Sequence, residues 1–469
     1  MENFVFSSRA KTVTSGFALL GLLCLIASYF VDGGEGHHMR FWTNLLHNSV
    51  FFLGIGFIAS FAYCAFTTAY AGWFVQFKRV WEGMSHWMLY GLICMGVIIV
   101  GLWLHSHHLY HWNDAAAVDA DPILSHKSAF LNKYWYTFGT IGFVAVWIWF
   151  MGRITAISRD EDKNGTTDYE HHARIKKYAA PFLIIAGFTS AALIWQWIMS
   201  IDSHWYSTMF AWYASASLFV AMTALTIMVL IYLKSRGYYD GITAEHFHDL
   251  GKYLFAISIF WTYVWFSQFM LIWYGNVGEE TIYFRERMDN YPVLFWGNLL
   301  LNFILPFFIL MRNDTKRKFG TLFFAAAIVF FGHWFDYFSM IKPGARLALI
   351  EMEAHHGGDH HGEEHATMDA EHAADHGDEH HADDHHEGAH AGADHGEMAM
   401  DNHGGDHGGE GHGHALEFKS GYTLPGLLEI GTFLGFLGGF LFLLFNSLTK
   451  APLEPKRDPY MEESLHHHT

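Results

Sequence analysis

The stretch Lys252–Phe284, KYLFAISIFWTYVWFSQFMLIWYGNVGEETIYF, decides the fold. Its roughly twenty residues up to Tyr274 carry no charge, the length an α-helix needs to cross about 30 Å of hydrocarbon. One amide, Gln268, stands inside it, one turn beyond Trp265 and two beyond Trp261, so the three share a helical face. The run ends at Gly275-Asn276-Val277-Gly278, a glycine-bearing helix stop, and two carboxylates, Glu279 and Glu280, follow at once. Acids at a membrane surface can carry protons, bind a partner or simply stand hydrated.

Outward from this span, similar apolar runs recur at Thr12–Val31, Asn44–Tyr70, Trp87–Leu104, Tyr134–Gly152, Tyr178–Ser200, Met209–Leu233, Val293–Met311, Thr321–Met340 and Leu424–Ser447. With Tyr253–Tyr274 they make ten candidate spans. Lys and Arg crowd cytoplasmic loops, and with the N-terminus inside, 20 of the 28 Lys and Arg residues fall on the cytoplasmic side, with no base inside a span. The expected fold is therefore an all-α polytopic membrane protein of about ten transmembrane helices, N- and C-termini cytoplasmic. Arg9 and Lys11 precede the first run as a signal n-region would, but no small-residue cleavage site follows Phe30, so an uncleaved first span is expected.

Composition separates two populations. Of 469 residues, 52% are hydrophobic and 18% aromatic, too apolar for an ordinary soluble domain. Glu351–His414 holds 18 Asp/Glu and 17 His with no Lys or Arg, so this one insert accounts for the whole net charge of −18. The expected organisation is a nine-helix body over 1–350, a disordered His/Asp/Glu-rich periplasmic loop over 351–415, and a tenth helix with a cytoplasmic tail over 416–469. Pairs such as His380-His381 and His385-His386 can bind Zn²⁺, Ni²⁺ or Cu²⁺, or stand as a solvated acidic loop. Cys24, Cys64 and Cys94 form no C-x-x-C, which leaves no iron–sulfur or c-type haem attachment pattern. No P-loop, G-x-G-x-x-G, H-E-x-x-H or nucleophile elbow occurs.

Ionisable residues inside spans are costly and functional by default. Asp202 and His204 lie in the short connection after the fifth span. His333, Asp336 and Tyr337 are spaced i, i+3, i+4 in the ninth, where a His one turn from an Asp can pass a proton or fix helix packing. Glu429 enters with the tenth span and His47 with the second. Asp202, His204, Asp336, Glu429 and His47, with Glu279 and Glu280, fall toward the outer face. The inner half has Glu82 and His86 at the start of span three, and Asn298, Asn302 and the kink-prone Pro306 in span eight. This distribution suggests a proton half-channel rather than an aqueous pore, with Asp202, His204, Gln268, Glu279, Glu280, His333, Asp336, Tyr337, Glu429, Glu82 and His86 as candidates along it.

Ser200–Thr208, SIDSHWYST, and Gln268–Thr281, QFMLIWYGNVGEET, within a ten-span body, resemble the NrfD/polysulfide-reductase-type integral membrane subunits, most closely the ActF-like subunit of bacterial alternative complex III. The resemblance covers most of the membrane body but not the His-rich insert. It implies two four-helix bundles plus two further helices. It also implies assembly with an ActC-like paralogue, an iron–sulfur subunit, c-type cytochrome subunits and a terminal oxidase, in membrane lipid and without nucleic acid. The assembly would oxidise menaquinol or another quinol and pass electrons to cytochrome c or an oxidase. Haem c and iron–sulfur clusters would belong to the partners and none to this chain. Quinol-binding relatives pair a His in the second span with an acid opening the fourth. His47 matches the first, but the fourth opens Asn132-Lys133-Tyr134-Trp135. Without that base to take the quinol proton, the chain is expected to be the structural and proton-conducting companion of the quinol site.

Two other readings stay open. The His-rich loop suggests a metal-ion secondary transporter, although the spans lack the paired ligand sites a divalent ion needs at mid-membrane. His47 with His105 or His333 could hold a b-type haem, making the chain a haem-bearing quinol subunit.

Overall fold

A computed structural model of the chain describes residues 4–32, 38–165, 169–372 and 418–467, with 351–372 as backbone alone. The chain falls into two units, Met1–Leu349 with Phe418–Thr469, and Ile350–Glu417. The expectation of a disordered loop over 351–415, with metal binding as one alternative for it, lies outside the described residues, apart from the helical backbone of 351–372.

Among the described residues ten helices are long and apolar enough to cross a membrane. In order they are Ser8–Val31, Met39–Thr68, Val75–Trp103, Lys133–Asn164, Glu170–Ile201, Met209–Ser235, Ala244–Gly275, Pro292–Leu310, Phe319–Ile350 and Leu427–Leu448. The helices overrun the apolar runs because helical hydrogen bonding continues into the polar ends. The seventh begins nine residues before Tyr253, where His246 Nδ1 meets the backbone N–H of Thr243 at 3.2 Å. It stops where Asn276 takes a left-handed φ of 46°. Glu279 and Glu280 do not lie in a loop; they open a helix, Gly278–Asp289, in the first turn where the helix dipole favours acids.

The ninth span departs most from expectation. Lys342-Pro343-Gly344 reads as a span end, yet the helix passes through Pro343, which places Lys342 and Arg346 inside the span and overturns the expectation that no base lies within one. Arg40, in the first turn of the second helix, corrects it likewise.

The second and sixth spans are the most enclosed. The second packs on the third, fifth and sixth, the third on the fourth, and the fourth on the fifth. The sixth packs on the seventh, and hydrogen bonds tie the ninth to the second, sixth, seventh and eighth. The first and tenth spans pair closely, since a Cβ on Gly21 would stand 2.2 Å from Gly435 Cα. Gly431 meets Cys24 and Gly438 meets the Thr14 carbonyl along the same seam, the small-residue contact by which apolar helices associate.

One end of the body gathers the last residues onto the third and fourth spans. Lys78 Nζ lies 3.0 Å from Glu161 and 2.5 Å from Asp458, and Arg457 donates to the carbonyls of Lys163 and Gly165. This is called the tail end below.

Candidate functional site: a buried carboxylate and its polar line

Asp336 is fully buried and meets four neutral donors from three helices. Its Oδ1 accepts from Tyr213 Oη and from Asn298 Nδ2, and its Oδ2 accepts from Ser217 Oγ at 2.8 Å and Trp261 Nε1 at 2.9 Å. Four bonds saturate a carboxylate's lone pairs. Among the described residues no Lys or Arg is a partner. His333 Nδ1 is 2.9 Å from Ser217 Oγ and 4.0 Å from Asp336 Oδ2, and its Nε2, also buried, has no protein partner. Ser217 can thus accept from the ring while donating to the carboxylate. A protonated His333 can hand its Nδ1 proton through that hydroxyl to Asp336, leaving a neutral imidazole and a carboxylic acid.

The eighth helix leaves regular α geometry next to the amides it supplies. Pro306 has no N–H to give, and the turn Leu300–Ile304 before it is π-helical, the local widening found where a helix ladder is interrupted. Asn298 and Asn302 both face inward there. Asn302 Nδ2 donates to Asn298 Oδ1 and, at 2.9 Å, to the Gly332 carbonyl.

From Asp336 the polar line runs to a small cavity of about 20 Å³, space for one water. Tyr213 and Asn298, which bind Asp336, line it together with Trp265, Gln268, Tyr283 and Arg287. Gln268 is buried and its Oε1 has no protein partner. On the far side Arg287 Nη2 pairs with Asp202 Oδ2 at 2.9 Å. Pro343 leaves the Ser339 carbonyl without its helical donor, and Arg287 fills the gap, donating to Ser339 O and Met340 O, each at 3.4 Å. A Cβ on Gly344 would press within 2.8 Å of the Asp202 carboxylate. Burial works against the Arg287 charge, but Asp202 and Tyr283 outweigh it, and its pKa is raised. Trp205 stacks on Tyr283 at 3.8 Å between ring centres, so the connection after span five is bound to the helix after span seven.

The opposite face of the ninth span holds a second cluster. Glu429 takes Arg40 in a two-bond grip, Nε to Oε1 at 2.8 Å and Nη2 to Oε2 at 2.9 Å, and accepts further from Asn44 Nδ2 and the Gly426 N–H. Lys342 Nζ, fully buried, donates to Thr43 Oγ1 at 2.6 Å and Asn44 Oδ1 at 2.7 Å. His47 Nε2 donates to the Trp334 carbonyl at 2.9 Å while its buried Nδ1 has no protein partner.

Of the residues singled out in the sequence, Asp202, Gln268, His333 and Asp336 therefore join one line. The others stand elsewhere. Tyr337 donates to the Ala214 carbonyl, 3.0 Å away, and serves packing. His204 pairs with Asp121 at 2.5 Å, and the hydrogen bond from His204 holds the Asp121 carboxyl below its usual range. Glu279 is exposed and Glu280 half-exposed. Glu82 accepts from Arg79 at 2.6 Å and Ser158 Oγ at 2.7 Å, a locked contact near the tail end. His86 Nδ1 donates to the Glu82 carbonyl. Tyr213, Ser217, Arg287, Arg40 and Lys342 were not singled out; the signal for Lys342 was a lysine directly before Pro-Gly in an apolar run. Among the described residues no three His, Cys, Asp or Glu side chains gather as a metal site would require.

Fold and site together define an all-α, multi-pass membrane protein with a saturated carboxylate buried between its helices. No family model and no curated protein matches the chain.

Proposed function

We propose that this chain is an integral membrane subunit of a quinol:cytochrome c oxidoreductase of the alternative complex III type, the structural and proton-conducting partner of a quinol-binding paralogue. The observation that carries the reading is a convergence. Ser200–Thr208 and Gln268–Thr281, the two runs behind the resemblance, meet at one place, because Asp202 binds Arg287 and Arg287 lines the same cavity as Gln268. Protons would enter from the Asp202 end, pass Gln268 and reach Asp336 and His333, where the line stops short of the tail end. Helix packing also supports the arrangement the resemblance implies. Spans two to five contact one another in a ring, spans six to nine are joined around Asp336, and spans one and ten pair alongside. The excess of Lys and Arg on the tail-end loops supports cytoplasmic termini in a bacterial inner membrane. The redox partners would be an iron–sulfur subunit and c-type cytochromes, and quinol would bind the paralogue.

Affinity purification in mild detergent tests this. We expect co-migration with haem-c-staining subunits and quinol-dependent cytochrome c reduction by the assembly. A chain that purifies alone, or that carries its own haem b spectrum or stoichiometric metal, would overturn the proposal.

A further inference from the structure

At the tail end a groove of about 220 Å³ opens between the third, fourth and tenth spans. Its walls change character with depth in the same sense on all three helices. On the third, Ser85 and His86 precede Met88 and Leu89; on the fourth, Thr155 lies about two turns shallower than Ile148; on the tenth, Asn446, Ser447 and Lys450 lie outside Leu443. The mouth is polar and the floor is hydrocarbon. Leu89 and Tyr90 are 49% and 43% exposed, so the deep part faces the lipid phase rather than the protein core.

The charges around the mouth are unbalanced. Lys78 and Arg79, close by on the same end, are each ion-paired with two carboxylates. Lys450 and Arg159 have no carboxylate within ion-pair distance among the described residues. Lys450 lines the mouth; Arg159 stands at its edge, outside the lining, with Nη2 3.5 Å from the lining Ser447 Oγ and a buried Nε that has no partner among the described residues. His86 gives Nδ1 to the Glu82 carbonyl, which leaves Nε2 as the ring's other polar atom. Buried carboxylates are thus used freely a turn or two away and withheld here. Two cations and several hydroxyl and amide groups over an apolar trough match a phosphate joined to acyl chains, the usual content of basic pockets between membrane helices.

We propose that this groove is a binding site for an anionic phospholipid, its phosphate held by Arg159 and Lys450 and its acyl chains lying along Met88, Leu89, Ile148 and Leu443. The groove shares no lining residue with the cavity on the Asp336 line.

Native mass spectrometry of the full chain, delipidated in detergent and titrated with phosphatidylglycerol or phosphatidylcholine, tests it. We expect at least a tenfold preference for phosphatidylglycerol in the wild type, falling to less than about threefold in Lys450→Gln and in Arg159→Gln/Lys450→Gln. Arg153→Gln, on the fourth span but outside the groove, should keep the preference. Lys450 is exposed, so its replacement leaves the fold intact and keeps the test decisive even where the double variant assembles poorly. An equal preference in wild type and Lys450→Gln would overturn the proposal. So would full displacement of the lipid by millimolar inorganic phosphate, which would mark a free-anion site, or retention of a quinone in place of phospholipid.

Discussion

Two buried carboxylates, Asp336 on the ninth helix and Glu429 on the tenth, are held in different ways. Glu429 is gripped by the Arg40 guanidinium through two hydrogen bonds and backed by Asn44. Asp336 has as many donors, but every one is a neutral hydroxyl, amide or indole. A fixed cation makes the negative charge permanent, because protonating the acid would strand the arginine in a poorly solvating surround. Neutral dipoles leave both protonation states within reach, and His333, joined to the carboxylate through Ser217, can itself gain or lose a proton. Under the proposed function, one carboxylate holds helices together and the other exchanges its proton.

The sharpest break between the two is in stability. Glu429→Gln would leave Arg40 unpaired, and we expect a loss of about 3–5 kcal/mol, read as a large drop in melting temperature in detergent. Asp336→Asn keeps the shape but points an N–H at one of four donors, a cost of about 1–3 kcal/mol. The reverse order would show that Asp336 is the structural acid. Gly435→Val belongs with the structural side. Its side chain would meet Gly21 backbone, so we expect the first and tenth spans to part, with a loss of about 2–4 kcal/mol and no change in proton uptake by the Asp336 line.

A smaller effect separates buried from exposed pairs at the Asp202 end. Asp202→Asn leaves Arg287 with carbonyls and the Tyr283 ring but no charged partner among the described residues, and we expect about 1–3 kcal/mol together with slower proton entry. Asp121→Asn, which removes the exposed partner of His204, should cost less than about 1 kcal/mol. The folded chain holds the Asp121 carboxyl lower than the unfolded chain does. Its contribution is therefore present above the ordinary carboxylate range and lost as pH falls through the depressed value. Melting curves of wild type and variant should converge on acidification; a gap that widens would reverse the sign.

The membrane architecture was legible because twenty-residue apolar runs are long, repeated signals. Helix ends were less so, since a capping box such as Thr243/His246 extends a span beyond its hydrocarbon-like stretch. The i, i+3 spacing of His333 and Asp336 announced a pair, and Trp261 and Gln268 were placed on the correct face. Their partners were not visible. Tyr213 and Ser217 look like ordinary polar residues in an apolar helix, and only the fold brings them to a residue more than a hundred positions away. Arg40 and Glu429 are separated by 389 positions. Lys342-Pro343-Gly344 misled for a physical reason. Charge, proline and glycine together usually end a helix, but here Arg287 supplies the donor that Pro343 lacks and Asp202 occupies the space beside Gly344.

Proton translocation per electron, measured in vesicles carrying the assembled complex with Asp336→Asn beside Glu429→Gln, tests the division most directly. We expect Asp336→Asn to lower the ratio while quinol-dependent electron transfer and subunit content stay intact, and any Glu429→Gln complex that assembles to keep it. An unchanged ratio in an assembled Asp336→Asn complex would contradict the exchange role of the buried carboxylate.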